Sequence, residues 1–281
     1  AMFHVKNMSA EDFEFAVGIA DQMSWGLTEA DFEFMIELEP EGCFVLLQGS
    51  ERIGIATTVS FGKIGWFGNL VVTADRRKRG GGSLLVKHAL KYLSDRGVKT
   101  VGLYAYMERI QFYTSLGFKY DSDFIALKGR ASSSSTLAAD VREAKKHEID
   151  EIVSFDQNCF GASRKKLLEP ILLDPDNLCH TYVESGHISG FALAKLYSGV
   201  AELGPLVCNR GQSDIATGLL TAALNRLSGL EVSMCIPKKE ATILDVLTKL
   251  GFTERFRVAR MFFGPPFIRD CICAAESLER G

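Results

Sequence analysis

The feature that most constrains this chain is that its second half repeats its first. "FYTSLGFK", ending at Lys119, is answered by "DVLTKLGFT", ending at Thr253, and "LVVTADRRKRGGGSLLVKHALKYL", from Leu70, by "LVCNRGQSDIATGLLTAALNRL", from Leu206. The register holds across both: Gly251 follows Gly117 by 134 residues, and Leu219 follows Leu84 by 135. A repeat at one offset over this length signals one fold unit built twice. Between the halves lies "KGRASSSSTLAAD", residues 128–140, whose four serines after a glycine cannot form a core-facing periodic element. The expected organisation is a first domain over 1–130, a Ser-rich linker over 131–139 and a second domain over 140–281, each of ordinary single-domain size.

In the first half "CFVLLQ", "RIGIATTVSF", "GWFGNLVVT" and "TVGLYA" are short β-branched and aromatic runs separated by Gly, Ser and charged pairs, which is strand spacing. Leu85, Ala89, Tyr92 and Leu93 fall at i, i+4, i+7 and i+8 and predict an amphipathic helix starting at or just after Gly82. "SAEDFEFAVGIADQM" offers Ser9 as a cap and acids in its first turn, and is predicted helical. Each half therefore reads as α/β (α+β), a mixed sheet with helices.

With a formal net charge of −3 and a pI near 6.0, the chain is a poor global polyanion binder, so any basic function is local. No run of 18 apolar residues occurs, and the expectation is a cytoplasmic protein without membrane contact. The seven cysteines are scattered through apolar runs with no C-x-x-C pair and read as reduced core residues. "HEIDE" lacks the second histidine of H-E-x-x-H, and no G-x-S-x-G occurs, so neither a catalytic metal nor a serine hydrolase is indicated.

The stretch with most chemistry is "DRRKRGGGSLLVKHALKYL", residues 75–93. Backbone N–H groups of a glycine turn, together with the positive end of the following helix, make an anion cavity, and Arg76, Arg77, Lys78 and Arg79 add charge at its rim. Taken alone, the run is equally a solvated basic loop with glycines for flexibility. A nucleic-acid patch is disfavoured, because no second basic cluster or aromatic array accompanies it. There is no G-x-x-x-x-G-K-[ST], and Leu85 stands where a dinucleotide fingerprint needs its third glycine.

The pattern that does fit is R-x-x-G-x-G, with Arg77, Gly80 and Gly82, set in the strand–loop–helix unit "GNLVVTADRRKRGGGSLL" and followed by "VGLYAYM" and "FYTSLGF". In this the chain resembles the GNAT family of acyl-CoA-dependent N-acyltransferases. The whole chain is similar to tandem GNAT proteins with a divergent second half, on "WGLTEADFEFMIELEPEGCFVLL", "FDQNCFGASRKKLLEPIL", "GFALAKLYSGVAELGPLV" and "ARMFFG". The resemblance implies two tandem domains, each a mixed, mostly antiparallel sheet flanked by helices, and transfer of an acetyl group from acetyl-CoA to a small-molecule amine. Alternatives are a non-catalytic acyl-CoA sensor and a protein or peptide N-acetyltransferase.

Site roles follow from the same resemblance. The coenzyme A pyrophosphate falls to Arg77, Lys78, Arg79, Gly80, Gly81, Gly82, Ser83 and Leu84, with amides from Arg79 through Leu84 as donors. Leu70, Val71 and Val72 line the cofactor arm, and the amide of Val71 or Val72 stabilises the oxyanion, Val71 being the catalytic assignment. Tyr113 is the general acid toward the leaving thiolate, although beside Phe112 it also reads as a core aromatic. Arg109 stands where relatives often carry a small polar residue that holds the cofactor arm. No acid lies within "NLVVT", and the proton acceptor is left among Asp75, Glu108, another carboxylate and a water chain. Trp25, between the first two helices, borders the acceptor site or simply packs. Asp156 and Arg164 form a structural ion pair or an acceptor-binding pair.

In the second copy Gly80 and Gly82 align with Ile215 and Thr217, Asp214 enters the loop, and Tyr113 aligns with Leu247, which donates no proton. That copy is expected to keep the fold without the coenzyme A site.

Overall fold

The computed structural model describes residues 2–133, 138, 140–209 and 211–281. The first half runs β1 (Phe3–Asn7), α1 (Phe13–Gln22), α2 (Glu29–Leu38), β2 (Cys43–Gln48), β3 (Glu51–Phe61), β4 (Ile64–Val72), α3 (Gly81–Asp95), β5 (Thr100–Tyr106), α4 (Ile110–Ser115) and β6 (Lys119–Arg130). The second repeats it with β7 (Val141–Glu143), α5 (Ile149–Phe160), α6 (Lys165–Leu173), β8 (Leu178–Glu184), β9 (His187–Tyr197), β10 (Val200–Cys208), α7 (Ser213–Arg226), β11 (Glu231–Pro237), α8 (Ala241–Lys249) and β12 (Thr253–Phe263), then adds β13 (Ile272–Ala274). Local chemistry fixes the helix starts. The Ser9 N–H donates to Asp12 Oδ2 at 2.9 Å in the capping box of a 3-10 turn that runs into α1, and Thr28 and Asp31 cap α2 in the same way. α3 begins at Gly81, one residue earlier than its apolar spacing predicts, and buries Leu85, Val86, Ala89 and Leu93.

The expected class holds, with a mixed and mostly antiparallel sheet flanked by helices. What duplication alone does not reveal is an exchange of strands. Twelve strands form one path, β1-β2-β3-β4-β5-β12-β6-β11-β10-β9-β8-β7. β12, the second copy's last strand, inserts between β5 and β6, while β6 lies between β12 and β11. Each half thus lends its last strand to the other, and the two sheets are one. Ala131, the first residue of the expected linker, is buried and extends this ladder, its N–H donating to the Leu230 carbonyl at 2.9 Å. Residues 134–137 and 139 of that linker lie outside the described residues.

α3 and α4 cover one face of the first half, packing on Phe44, Phe67 and Leu103. The opposite face carries α1 and α2, and its core is continuous with that under α5 and α6 through Trp66, Phe61 and Phe160. The cysteines depart from expectation at one pair. Cys159 and Cys271 are joined by a disulfide with Cα atoms 5.8 Å apart, while Cys43, Cys179, Cys208, Cys235 and Cys273 are free. Among the described residues, no helix is long and apolar enough to cross a membrane.

Candidate active site

The site begins with a fork. β4 and β5 pair in parallel only from Ile64–Thr100 to Trp66–Gly102, after which β5 continues against β12 and β4 has no strand partner on that side among the described residues. On its other side β4 pairs with β3 through a one-residue bulge, since Ile55 opposes Val71 but Thr57 opposes Gly68. Asn69 absorbs the bulge with a left-handed φ of 54° and anchors it by donating Nδ2–H to Thr57 Oγ1 at 3.1 Å.

Strand alternation settles which amides enter the fork. The Thr73 N–H donates to the Ile53 carbonyl at 2.8 Å, so the opposed pairs alternate from there and Val71 faces Ile55. The Val71 carbonyl points the same way, lying 2.9 Å from where a Cβ on Gly54 would stand. Val72, and Leu70 two residues upstream, therefore turn their N–H groups away from β3 and into the fork. The catalytic assignment to Val71 is corrected on this ground: its amide belongs to the sheet ladder, and Leu70 and Val72 hold the open donors.

Beyond Val72 the chain makes a 3-10 turn and reaches α3 through Lys78 and Gly80, both left-handed, with φ of 61° and 91°. Nothing lies within 4 Å of a Cβ built on Gly80, whereas on Gly81 it would stand 2.7 Å from Leu46 Cδ2. The first of these glycines serves conformation and the second close packing. The amides of Gly81, Gly82 and Ser83 are the unsatisfied first-turn donors of the helix, but the Leu84 N–H already donates to the Gly80 carbonyl at 3.0 Å. The donor series thus ends at Ser83. Arg77 turns inward, its Nε donating to the Val72 carbonyl at 2.8 Å, so it fixes the loop on the strand. Arg76 is held by Glu51 and Asp75, which leaves exposed Lys78 and Arg79 at the rim. This is an anion cradle at a helix N-terminus, continuous with the fork's amides, and it fits a pyrophosphate followed by a pantetheine arm.

α4 crosses beside the cradle, with Phe112 Cζ 3.5 Å from the Cβ position of Gly82. Tyr113 is buried among Phe67, Phe112 and Phe118. Burial holds its phenol well above the ordinary tyrosine range, opposed in part by the nearby charge of Arg109, which is itself exposed. The phenol therefore stays protonated.

The opposite face of the fork is built from both halves. Trp25 donates its indole N–H to the Tyr106 hydroxyl at 2.8 Å, closing the α1–α2 loop over the end of β5. Trp66 is fully buried between Tyr104, Phe160 and Phe262. Arg164 stacks on Phe160 at 4.3 Å and donates Nε–H and Nη2–H to Asp156 at 2.9 and 2.6 Å. Both charges are wholly buried, and the pair ties α5 to the start of α6 beside Phe160, the ring that packs on Trp66.

Sequence reasoning missed the segment after β13. The Trp66 N–H donates to the Leu278 carbonyl at 3.2 Å, Glu279 lies over Gly68, and a Cβ on Gly281 would stand 2.9 Å from the indole. Residues 276–281 form a strap that crosses from the second half onto β4. Its root is a buried charge cluster in which Glu276 binds Lys195 and Arg280, and Lys195 also binds Glu202. "ESLERG" has no periodic pattern, and nothing in its own residues points to Trp66.

The second half shows what happens to the same fork when it is filled. β10 and β11 also pair in parallel for three residues, from Val200–Glu231 to Glu202–Ser233, and β10 carries its bulge at Gly204 and cis-Pro205. Into that fork enters β13, with Leu206 opposite Ala274 and the Cys208 N–H donating to the Cys271 carbonyl at 3.0 Å. Counting 136 residues from β4, Leu206 and Cys208 are the counterparts of Leu70 and Val72. The amides that stay open in the first half are consumed in the second by the chain itself. Leu247, at the position of Tyr113, is wholly buried in α8.

Comparison with known proteins agrees with this geometry. Residues 7–118 match the model of the acetyltransferase (GNAT) family and residues 152–270 that of an acetyltransferase (GNAT) domain. The chain is 24% identical over 280 residues to a holothin acyltransferase of Pseudoalteromonas sp. (strain SANK 73390), covering 98% of this chain and 94% of that one. Its fold is similar to that of a putative acetyltransferase from Pyrococcus horikoshii, with a TM-score of 0.82 and 20% identity over 99% of this chain and 96% of the other. It is also similar to a tandem GNAT protein from the clavulanic acid biosynthesis pathway, with a TM-score of 0.63 and 13% identity over 95% and 100%. With both halves matched and both forks in place, the chain belongs to the GNAT acyltransferase family as a tandem protein of two GNAT domains.

Proposed function

We propose that the protein is an acetyl-CoA-dependent N-acetyltransferase that transfers the acetyl group directly to a small primary amine, with chemistry confined to the first domain. The observation that carries this reading is the contrast between the forks: the donors at Leu206 and Cys208 are paired by β13, while those at Leu70 and Val72 remain open and lead into the glycine cradle.

Gly81, Gly82 and Ser83 bind the pyrophosphate through helix-terminal amides, with Lys78 and Arg79 steering it. Val72 pairs with the pantetheine arm as a strand neighbour would, and Leu70 presents its amide to the oxyanion developing at the acyl carbon. Tyr113, kept neutral by burial, returns a proton to the departing sulfur. The amine enters on the opposite face of β4, between the Trp25–Tyr106 bridge and the strap.

The test is calorimetric titration with acetyl-CoA of the wild type and of Gly82→Glu, followed by measurement of coenzyme A release with a panel of primary amines that includes holothin, the acceptor named for the relative. One equivalent per chain, lost in the variant, together with amine-dependent release, supports the proposal. Two equivalents would refute the assignment of the second fork, and binding without release from any amine would leave an acyl-CoA sensor.

A further inference from the structure

The first domain lacks a carboxylate on its catalytic strand, since Ile64–Val72 contains no titratable residue. Neither sequence candidate supplies one. Asp75 is 71% exposed and paired with Arg76, and Glu108 is exposed in the turn after β5. The strap brings one in from the second half. A Cβ on Gly68 would stand 2.6 Å from Glu279 Cα and 2.7 Å from Glu279 Cβ, so the vacancy at this glycine is where Glu279 seats. Gly68 is two residues before Leu70, whose amide faces the reacting carbonyl in the reading above, and it lies on the acceptor side with Trp66.

We propose that Glu279 is the catalytic proton acceptor for the amine, delivered to the first domain by the strap of the second. The assignment rests on the acetyltransferase reading. The amine nitrogen forms its bond to the acyl carbon as the carbon–sulfur bond breaks. Before that step Glu279 takes one proton from the bound ammonium and so frees the nitrogen's lone pair; as the bond forms, the second N–H proton passes to solvent, the sulfur leaves with the phenolic proton of Tyr113, and Glu279 and Tyr113 exchange protons with solvent to reset. The strap's construction suits this role. Glu279 is 19% exposed and its close cation among the described residues is Arg280, whose Nη1 lies 3.4 Å away. Arg280 is itself committed to Glu276 and stacks toward Phe34 of α2 at 5.3 Å. Burial raises the Glu279 carboxyl above its ordinary range; Arg280 opposes this, Glu202 of β10 and Glu276 reinforce it, and Lys195 of β9 opposes it more weakly. A carboxyl moved toward neutrality is a better match to an ammonium at working pH.

The experiment compares wild type, Glu279→Gln and Glu279→Asp with benzylamine, which is protonated at neutral pH, and aniline, which is not. Glu279→Gln is expected to lower kcat/KM for benzylamine about 100-fold and for aniline less than about ten-fold, with Glu279→Asp between wild type and the amide. With benzylamine the wild-type profile levels off above the Glu279 pKa, whereas the Gln variant climbs log-linearly until the free amine itself forms. Calorimetric binding of acetyl-CoA and the thermal midpoint should not change. An equal fall for both amines, or an unchanged pH profile, would reduce Glu279 to a wall residue while leaving the acetyltransferase reading intact. Wild-type protein that binds acetyl-CoA yet releases no coenzyme A with either amine would overturn the assignment together with the reading beneath it.

Discussion

The indole N–H of Trp66 donates to the carbonyl of Leu278 at 3.2 Å, joining residues 212 positions apart. This bond pins the strap to the strand that carries the fork, and Gly68, two residues along, is bare so that Glu279 can pass. Gly68→Ala places a Cβ 2.6 Å from backbone, which a flexible side chain cannot relieve. Overpacking of this kind costs about 1–3 kcal/mol. The expected outcome is a lowered thermal midpoint and reduced acyl transfer with acetyl-CoA affinity retained, because the strap and not the cradle is displaced; calorimetry beside a steady-state assay decides it.

Prolines separate the two directions of strand β4. Val72→Pro removes an amide that faces the fork, and Val71→Pro removes one from the ladder with Ile55. Val71→Pro should destabilise the fold by about 3 kcal/mol or more, while Val72→Pro should fold and bind acetyl-CoA roughly ten-fold more weakly, the equivalent of one lost hydrogen bond of about 1.4 kcal/mol. Equal melting curves for the two variants would contradict the alternation derived from Thr73 and Ile53.

Tyr113→Phe tests the leaving-group proton. The phenol's pKa is raised by burial, so its neutral form persists through and beyond pH 10 and no alkaline fall in rate from phenolate formation is expected within the working range. The variant should lose about 10²–10³ in kcat with unchanged acetyl-CoA affinity. An unchanged kcat would return Tyr113 to the aromatic core formed by Phe67, Phe112 and Phe118.

Much of this was legible in the sequence because it is local. The R-x-x-G-x-G turn, the capping residue Ser9 and the apolar face of α3 are each set by neighbours within a few positions, and the repeat shows when one half is laid against the other. The exchange of β6 and β12 was not, because both strands carry the same period and nothing in either says which sheet receives it. The choice between Val71 and Val72 also needed the observed register, as one residue of bulge reverses every amide. The strap was invisible for a related reason: Leu278 to Gly281 acquire their meaning from Trp66 and Gly68, more than 200 positions earlier.

Asp156 and Arg164 illustrate a residue pair recognised for proximity but open in role. Both are fully buried and doubly hydrogen-bonded, so Asp156→Ala leaves an uncompensated guanidinium and should cost about 3–5 kcal/mol. Arg164→Met combined with Asp156→Ala should recover most of that loss. Chemical denaturation of the single and double variants measures the recovery, and a double variant no more stable than Asp156→Ala would show that Arg164 does more than answer one charge.

The strap's anchor gives the protein an acid-sensitive element. Glu276 is completely buried, and although burial alone would raise its pKa, Arg280 and Lys195 together hold it far below the carboxylate range. A folded pKa below the unfolded value of about 4.3 means that the unfolded chain binds the proton more readily. The stabilisation is therefore present in full above that value and is lost as pH falls below it toward the folded pKa. Glu276→Gln should be less stable than wild type at pH 7 by about 3 kcal/mol, since Lys195 keeps Glu202 but Arg280 loses its main partner. It should also show a shallower acid limb, so that the two melting-temperature curves converge below about pH 4. Parallel curves over pH 7 to 3 would mean that Glu276 is not the group whose protonation releases the strap.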